Sequence, residues 1–346
     1  MARKAVTQKD VAEICGVSVA LVSYVLSGKA KQGRVSDAMA ARIQETAERL
    51  NYRANNAARM LKGKSQMTIG CILADIANPF FSVLARKIED ECYRRGYTVI
   101  FGSSDEQPDK LERLVEVMLS RQVDGFLISP PEGSSATLRD IQEQEIPLVL
   151  IDRRGEADTD IPYVGIDNYS ASYQVIRQLI QNGYRRIGMV GHNSQLLHFR
   201  ERMRGYKAAL RESSLPCGDE LTGQVEHKNY EERVPEEIDR LIDKEAVDAI
   251  YFGSNNMALV GLRHLFRRGC SIPADIEVVS FDDHDIYDFF EPPITHVRQP
   301  LESIGQVSVG LLMDEIEGHS TTKETIFKLD ALIKHGETTS AAKLRG

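Results

Sequence analysis

From residue 67 onward, short apolar runs recur with polar, helix-forming segments between them. They fall at Thr68–Leu73, Thr98–Phe101, Gly125–Ser129 and Leu148–Ile151. A second series follows at Arg186–Val190, Ala249–Phe252 and Glu277–Phe281. Strand-then-helix repetition predicts parallel sheets with helices on both faces. Two series predict two doubly wound α/β subdomains with a cleft between them. Ligands of such sheets lie beyond the carboxyl ends of the strands, so the polar residues after the runs are the candidates. Asp75, Phe80 and Phe81 follow the first run, Asp152 follows PLVLI, Asn255 follows IYFGS and Asp282 follows VVSF. Arg202 opens RMRGY after the loop from His192 to Phe199, with Arg200 and Arg204 beside it. Carboxylates, amides and guanidinium groups pair with vicinal hydroxyls, and Phe faces stack on a sugar ring or base. Taken singly, each of these residues is more simply a strand-end cap or a solvated loop charge; it is their occurrence together that points to a ligand.

The first 64 residues follow a different pattern. Thr7 precedes Val11, Ile14 and Cys15, with Asp10 in the third position of a capping box. Gly16 ends this helix, and Ser18 caps a second helix carrying Val19, Val22, Val25 and Leu26 before Gly28. Two helices this short, joined at Gly16–Val17–Ser18, make a helix-turn-helix candidate. Val22 and Val25 face the first helix. Ser18, Val19, Ala20, Ser23, Tyr24 and Ser27 remain outward, small or hydrogen-bonding as a major-groove helix requires. The loop GKAKQGRV, with Arg34, suits phosphate contacts. Ser36 caps a third helix that turns Ala40, Ile43, Ala47 and Leu50 inward.

Charge supports the division. Residues 1–64 hold 12 Lys+Arg against 5 Asp+Glu, a surplus of +7, whereas the remainder holds 31 against 46, or −15. A basic head on an acidic body meets nucleic acid at one end only. After Asn51–Tyr52 the segment RANNAARMLKGKS is too short to hold a helix alone in water. It reads either as a linker or as a segment that folds on DNA.

The strings VTQKDVAEICGVSVALVSYVLSG, NYRANNAARMLKGKS and IGCILADIANPFFSVLARKIEDECYRRGY resemble the LacI/GalR family of transcriptional regulators. The likeness continues through IPLVLIDRR, VGIDNYSAS, HFRERMRGYKAAL, GSNNMALVGLRHL, IPADIEVVSFDD and EPPITHVRQPLESIG. It implies an all-α helix-turn-helix domain at 1–54, a hinge helix at 55–64 and a periplasmic-binding-protein-like domain at 65–346. The crossing strands of that last domain would lie near 152–165 and 289–298. The resemblance also implies a homodimer on pseudo-palindromic operator DNA, most simply as a repressor. Asn55, Ala58 and Leu61 would enter the minor groove, Leu61 as the wedge that kinks the operator. Thr7, Ser18, Val19, Ala20, Ser23, Tyr24, Ser27 and Arg34 would complete the DNA contacts. Tyr24 stands where the family often has Arg or His, so base reading leans on thymine methyls, one phenol and DNA shape. The basic loop resembles the fructose- and sucrose-responsive branch. Asp75, Phe80, Phe81, Asp152, Arg202, Asn255 and Asp282 match the family's effector positions, for a small carbohydrate or sugar phosphate.

Other functions find little support. A transport receptor would share the body but has no use for the head. The body lacks GxGxxG, GxxxxGK[ST] and GxSxG, so an enzyme is not expected. Asp282, Asp283, His284 and Asp285 crowd together, but the family places only the first in a site, so no metal or cofactor is expected. The tail from Glu337 lacks leucine heptads, which favours a dimer over a tetramer. No membrane-length apolar run and no signal-like apolar region follow Arg3–Lys4. Five cysteines without a CxxC pair suit free thiols in a reducing cytoplasm, and the resemblance implies a chain associated with the nucleoid when bound to DNA.

Overall fold

The computed structural model describes residues 6–26, 30–50, 52, 65–155, 160–319 and 324–336. The chain divides into two compact units, Met1–Gln66 and Met67–Gly346.

The first unit holds α1 (Gln8–Cys15), α2 (Val19–Leu26) and α3 (Asp37–Arg49). The capping box forms with Asp in the usual Glu role: the Thr7 amide donates to Asp10 Oδ2 at 2.6 Å and the Asp10 amide to Thr7 Oγ1 at 3.4 Å. Gly16 stops α1 at φ 65°, a left-handed geometry that glycine adopts without strain. Ser18 and Ser36 cap the next two helices through the amides of Leu21 and Met39. Val11, Ala12, Cys15, Val22, Val25, Ile43 and Ala47 close the core. Ile14, a member of the same apolar pattern as Val11 and Cys15, is 46% exposed. At 100° per residue it lies outside the arc spanned by positions 11, 12 and 15.

The second unit contains two six-stranded sheets. The first comprises β1 (Thr68–Leu73), β2 (Thr98–Ser103), β3 (Gly125–Ile128), β4 (Leu148–Ile151), β5 (Tyr163–Ile166) and β11 (Ile326–Leu329). Their order is β2-β1-β3-β4-β5-β11, all parallel. The second comprises β6 (Ile187–His192), β7 (Thr222–Val225), β8 (Ala249–Phe252), β9 (Glu277–Phe281), β10 (Thr295–Arg298) and β12 (Leu332–Lys334). Its order is β7-β6-β8-β9-β10-β12, with β12 alone antiparallel. Both sheets reverse strand order at their first strand, β1 or β6, where doubly wound sheets open their ligand crevice.

Helices α4 (Pro79–Arg94), α5 (Pro108–Ser120) and α6 (Ser135–Glu143) belong to the first sheet, joined late by α11 (Leu301–Ile316). The second sheet carries α7 (Asn168–Gln181), α8 (Leu197–Glu212), α9 (Tyr230–Asp243) and α10 (Asn255–Arg268). Alternation along β1 separates its faces: Ile69, Cys71 and Leu73 join a core shared by both sheets, whereas Ile72 packs with α5 and α6. The far face of the second sheet forms its own core with α9 and α10.

The crossings differ in detail from expectation. The strands expected near 152–165 and 289–298 are β5 and β10, but each still pairs within its own sheet. The chain changes sheet immediately after each of them, and a third time between β11 and β12. That third passage was not anticipated, because IFKL and LIK are only half-buried and carry no continuous apolar run.

Candidate functional site

In the first unit, α2 turns Val22 and Val25 into the core and leaves Ser18, Val19, Ala20 and Tyr24 exposed, with Ser23 half-buried. Val19 and Tyr24 are each 44% exposed, large for apolar groups on so small a unit. Gly33 lies against the Tyr24 ring, where a Cβ would approach Cγ to 2.8 Å, so the basic loop seats on the phenol only because position 33 is glycine. Arg34 follows, exposed, at φ 52°. Thr7 is exposed at the start of α1. Ser27, Asn55, Ala58 and Leu61 lie outside the described residues.

In the second unit a cavity of about 170 Å³ opens between the carboxyl ends of the two sheets, lined by Asp75, Phe80, Phe81, Asp152, Arg202 and Asp282 among others. Six of the seven expected residues thus meet in one place. Asn255 does not line the cavity; it is fully buried behind it. Its Nδ2 donates to Oδ1 of Asn78, the cap of α4, at 2.9 Å and so ties the two subdomains together. Glu132 makes a second tie, accepting from Ser194 Oγ at 2.7 Å and from the Gln195 amide at 3.2 Å.

Each side chain is held by its element. Asp152 and Asp282 follow β4 and β9 in left-handed conformations, φ 65° and 69°. Arg202 reaches the cleft because Gly205 lets α8 press on α7; a Cβ there would meet the Tyr169 carbonyl at 2.3 Å. Its guanidinium donates to Asn168 Oδ1 at 2.9 Å and to the Gly253 carbonyl at 2.8 Å, and lies 3.5 Å from Asp282 Oδ2. It also stacks 3.6 Å over the Phe281 ring. Asp282 accepts from Gln299 Nε2 at 2.6 Å. Phe80 and Phe81 meet edge to face at 4.9 Å.

The residues after Asp152 and β6 matter as much as those expected. Arg153 is buried and forms two 2.6 Å hydrogen bonds to Glu106, which also lines the cavity. His192 ends β6, and Phe199 packs on both His192 (4.4 Å) and His198 (3.9 Å). Among the described residues, Arg153 Nε, 3.6 Å from Asp152 Oδ2, and His198 Nδ1 are buried without a hydrogen-bond partner. Both line the cavity, as donor and acceptor positions a polar ligand would satisfy. Arg153 could have been found by extending the strand-end rule by one residue, and His192 by applying it to β6.

Burial raises the Asp152 carboxyl to about 6 against the pull of Arg153 and Arg202, and it raises Asp282 as well. Burial, aided by His227 and both arginines, lowers His192 to about 3, and His198 is held well below its usual value. Burial alone would raise Glu106, but the Arg153 charge and hydrogen bonds keep it low. The cleft therefore presents neutral imidazoles, two guanidinium groups and several carboxylates, an arrangement suited to a hydroxyl-rich ligand. Among the described residues, no group of His, Cys, Asp and Glu is placed to hold a metal ion, and no helix is long and apolar enough to cross a membrane.

Comparison with known proteins gives two family matches. Residues 7–55 match the bacterial regulatory proteins of the lacI family. Residues 66–335 match the periplasmic binding proteins and sugar binding domain of the LacI family. Catabolite control protein A of Priestia megaterium is 32% identical over 96% of this chain and 99% of its own. The ribose operon repressor of Escherichia coli strain K12 is 28% identical over 95% and 99%. The cellobiose complex of the transcriptional regulator CelR is 26% identical, with a TM-score of 0.71 over 96% and 99%.

Proposed function

Since the chain belongs to the LacI family of bacterial regulatory proteins, we propose that its first unit reads operator DNA and that its cleft binds a carbohydrate or sugar phosphate which controls that reading. It is a DNA-binding transcriptional regulator, and its relatives named above include an operon repressor. The observation that carries the effector reading is the convergence of Asp75, Asp152, Asp282, Arg202 and the Phe80–Phe81 pair on one cavity. The cavity is smaller than the roughly 300 Å³ at which drug-sized pockets begin, so it suits one sugar ring rather than an oligosaccharide. The ligand is bound and released unchanged, by a chain acting in the cytoplasm.

On this reading residues 1–54 form the DNA-binding domain, 55–64 the hinge and 65–346 the effector-binding and dimerisation domain. Ser18, Val19, Ala20, Ser23, Tyr24 and Ser27 enter the major groove, Thr7 and Arg34 meet phosphates, and Asn55, Ala58 and Leu61 act in the minor groove. A dimer presents two such heads to a pseudo-palindromic site. The apolar surface around Phe266 and Phe289, 80% and 84% exposed, supplies the contact between copies. Effector that bridges the two subdomains changes their closure, and with it the meeting of the two hinges on DNA. The coupling is reciprocal: whatever factor effector takes from operator affinity, operator takes from effector affinity.

The test is fluorescence anisotropy on a selected pseudo-palindromic operator, with a sugar panel added to the bound complex. A sugar that shifts operator affinity at least fivefold, the shift vanishing in Asp282→Asn, supports the reading. Turnover of that sugar by the purified chain would support an enzyme instead. The Leu61→Ala variant should lose specific binding far more than non-specific binding; equal losses would make residues 55–64 a tether.

A further inference from the structure

A second hollow, of about 620 Å³, runs along α8 and opens beside the effector cavity. The two share His192, Asn193, Ser194, Phe199 and Arg202 in their walls. Their charges are opposite. The cleft is lined by five carboxylates, Asp75, Glu106, Glu132, Asp152 and Asp282, against the guanidinium groups of Arg153 and Arg202. The hollow is lined by Arg200, Arg202, Arg204, Lys207 and Arg211 and by no acidic side chain.

The cations sit at positions 200, 204, 207 and 211, one stripe of α8. Arg204 pairs with Glu201 on its own helix, and Lys207 with Asp219 at 2.7 Å, both from outside the lining. Asp219 is 90% exposed and Arg204 65%, so neither pair is sheltered enough to hold its cation against a better anion. Arg200 and Arg211 have no carboxylate partner among the described residues. The Arg204 guanidinium lies 5.4 Å from the centroid of the Tyr169 ring, a cation–π contact within the same lining. On a body whose mean charge is strongly negative, such a concentration of cations needs a physical counterpart.

We propose that this hollow is a phosphoryl-binding subsite continuous with the effector cleft, so that the natural effector is a sugar carrying a phosphate. The neutral ring sits among the carboxylates, which accept from its hydroxyls. The phosphate sits beyond Phe199, where Arg200 and Arg204 donate to its oxygens. The reverse orientation would drive a dianion among five carboxylates. This deepens the effector reading above and rests on it for the ring, but not for the anion.

The experiment has two arms, read by titration calorimetry at about 0.1 M ionic strength, where charges are screened beyond about 10 Å. In the first, inorganic pyrophosphate is titrated into the full chain and into the Arg200→Ala/Arg204→Ala variant, with far-UV circular dichroism confirming the fold. Binding by the parent and at least tenfold loss in the variant is expected. No binding, or equal binding by both, overturns the subsite. In the second, hexoses and pentoses are compared with their monophosphates. The ester should bind at least tenfold more tightly than its parent sugar, with the advantage erased in the variant and reduced at 0.5 M KCl. An unphosphorylated sugar that binds as well as its ester overturns the proposal while leaving the carbohydrate reading intact. Pyrophosphate binding with no response to any sugar or ester would instead sink the carbohydrate reading, and with it the continuity proposed here.

Discussion

Asp152 and Asp282 occupy the same place in the two halves of the body. Each follows the fourth strand of its sheet, each is left-handed, and each carboxyl lies near a guanidinium, 3.6 Å from Arg153 Nε and 3.5 Å from Arg202 Nη1. Asp tolerates this backbone better than most residues, at a cost of order 1–3 kcal/mol that the packed strands must offset. The cleft thus receives one aspartate–arginine pair from each half.

Removing either carboxylate charge should disable the effector site and spare the fold. Asp282→Asn keeps a polar group beside Gln299 and Arg202 but loses a charge-assisted acceptor, worth about 1.5–3 kcal/mol. Effector affinity should fall about tenfold or more, while operator affinity without effector stays within twofold. An unchanged effector Kd, measured by calorimetry, would move the site elsewhere.

Stability should fall on acidification. The folded chain holds the Asp152 proton up to about pH 6, whereas the unfolded carboxyl releases it near 3.8, so this group favours folding most at low pH and fades as pH rises through that window. His192 acts oppositely: unfolded, it gains a proton below about 6.5, but folded it stays neutral to about 3, so its contribution is lost as pH falls. His198 shifts the same way, and so does Glu106, whose folded value is depressed. Asp282, also raised, sides with Asp152, and in the cleft the three depressed groups outweigh these two. Calorimetric Tm should be lower at pH 4.5 than at pH 6.5, with the gap narrowed in His192→Gln; a flat profile would contradict the buried, neutral imidazoles.

Breaking the buried Arg153–Glu106 pair one side at a time should cost more than removing both. Arg153→Met leaves a mostly buried carboxylate without its partner, a loss of about 3–5 kcal/mol. Urea denaturation of Arg153→Met/Glu106→Gln should recover a large part of that. Additive losses would mean that the two groups do not interact across the cleft wall.

The charge division should show in salt. With cationic groups concentrated in the head, log affinity for operator should fall linearly with log salt, with a slope of about −0.9 per phosphate neutralised. A fragment lacking residues 1–66 should bind no operator and keep its effector affinity. Salt-independent binding of the full chain would remove the basic head from the mechanism.

Much of this was visible in the residues themselves. All seven apolar runs became strands; six lie inside their sheets, where a strand covered on both faces must be apolar throughout, and only β2 is an edge. β7, TGQV, escaped notice because an edge strand need not be apolar throughout. In the cleft, the strand-end rule found the aspartates but missed Arg153, whose burial depends on Glu106 from a different loop, 47 positions away. Asn255 follows the right strand yet spends its amide on Asn78, 177 positions earlier, a pairing that no local pattern contains.

The paired strands β11 and β12 have a consequence for the order of events during synthesis. Residues 326–334 give each sheet its last strand, and α11 packs on the first sheet only after every strand of the second sheet but β12 has been made. A chain emerging from the ribosome N-terminus first can therefore close its head early, but neither half of the body can be finished before residue 334 has been added. Until then two open sheet edges stand exposed together, and in a crowded cell they are vulnerable to wrong pairing.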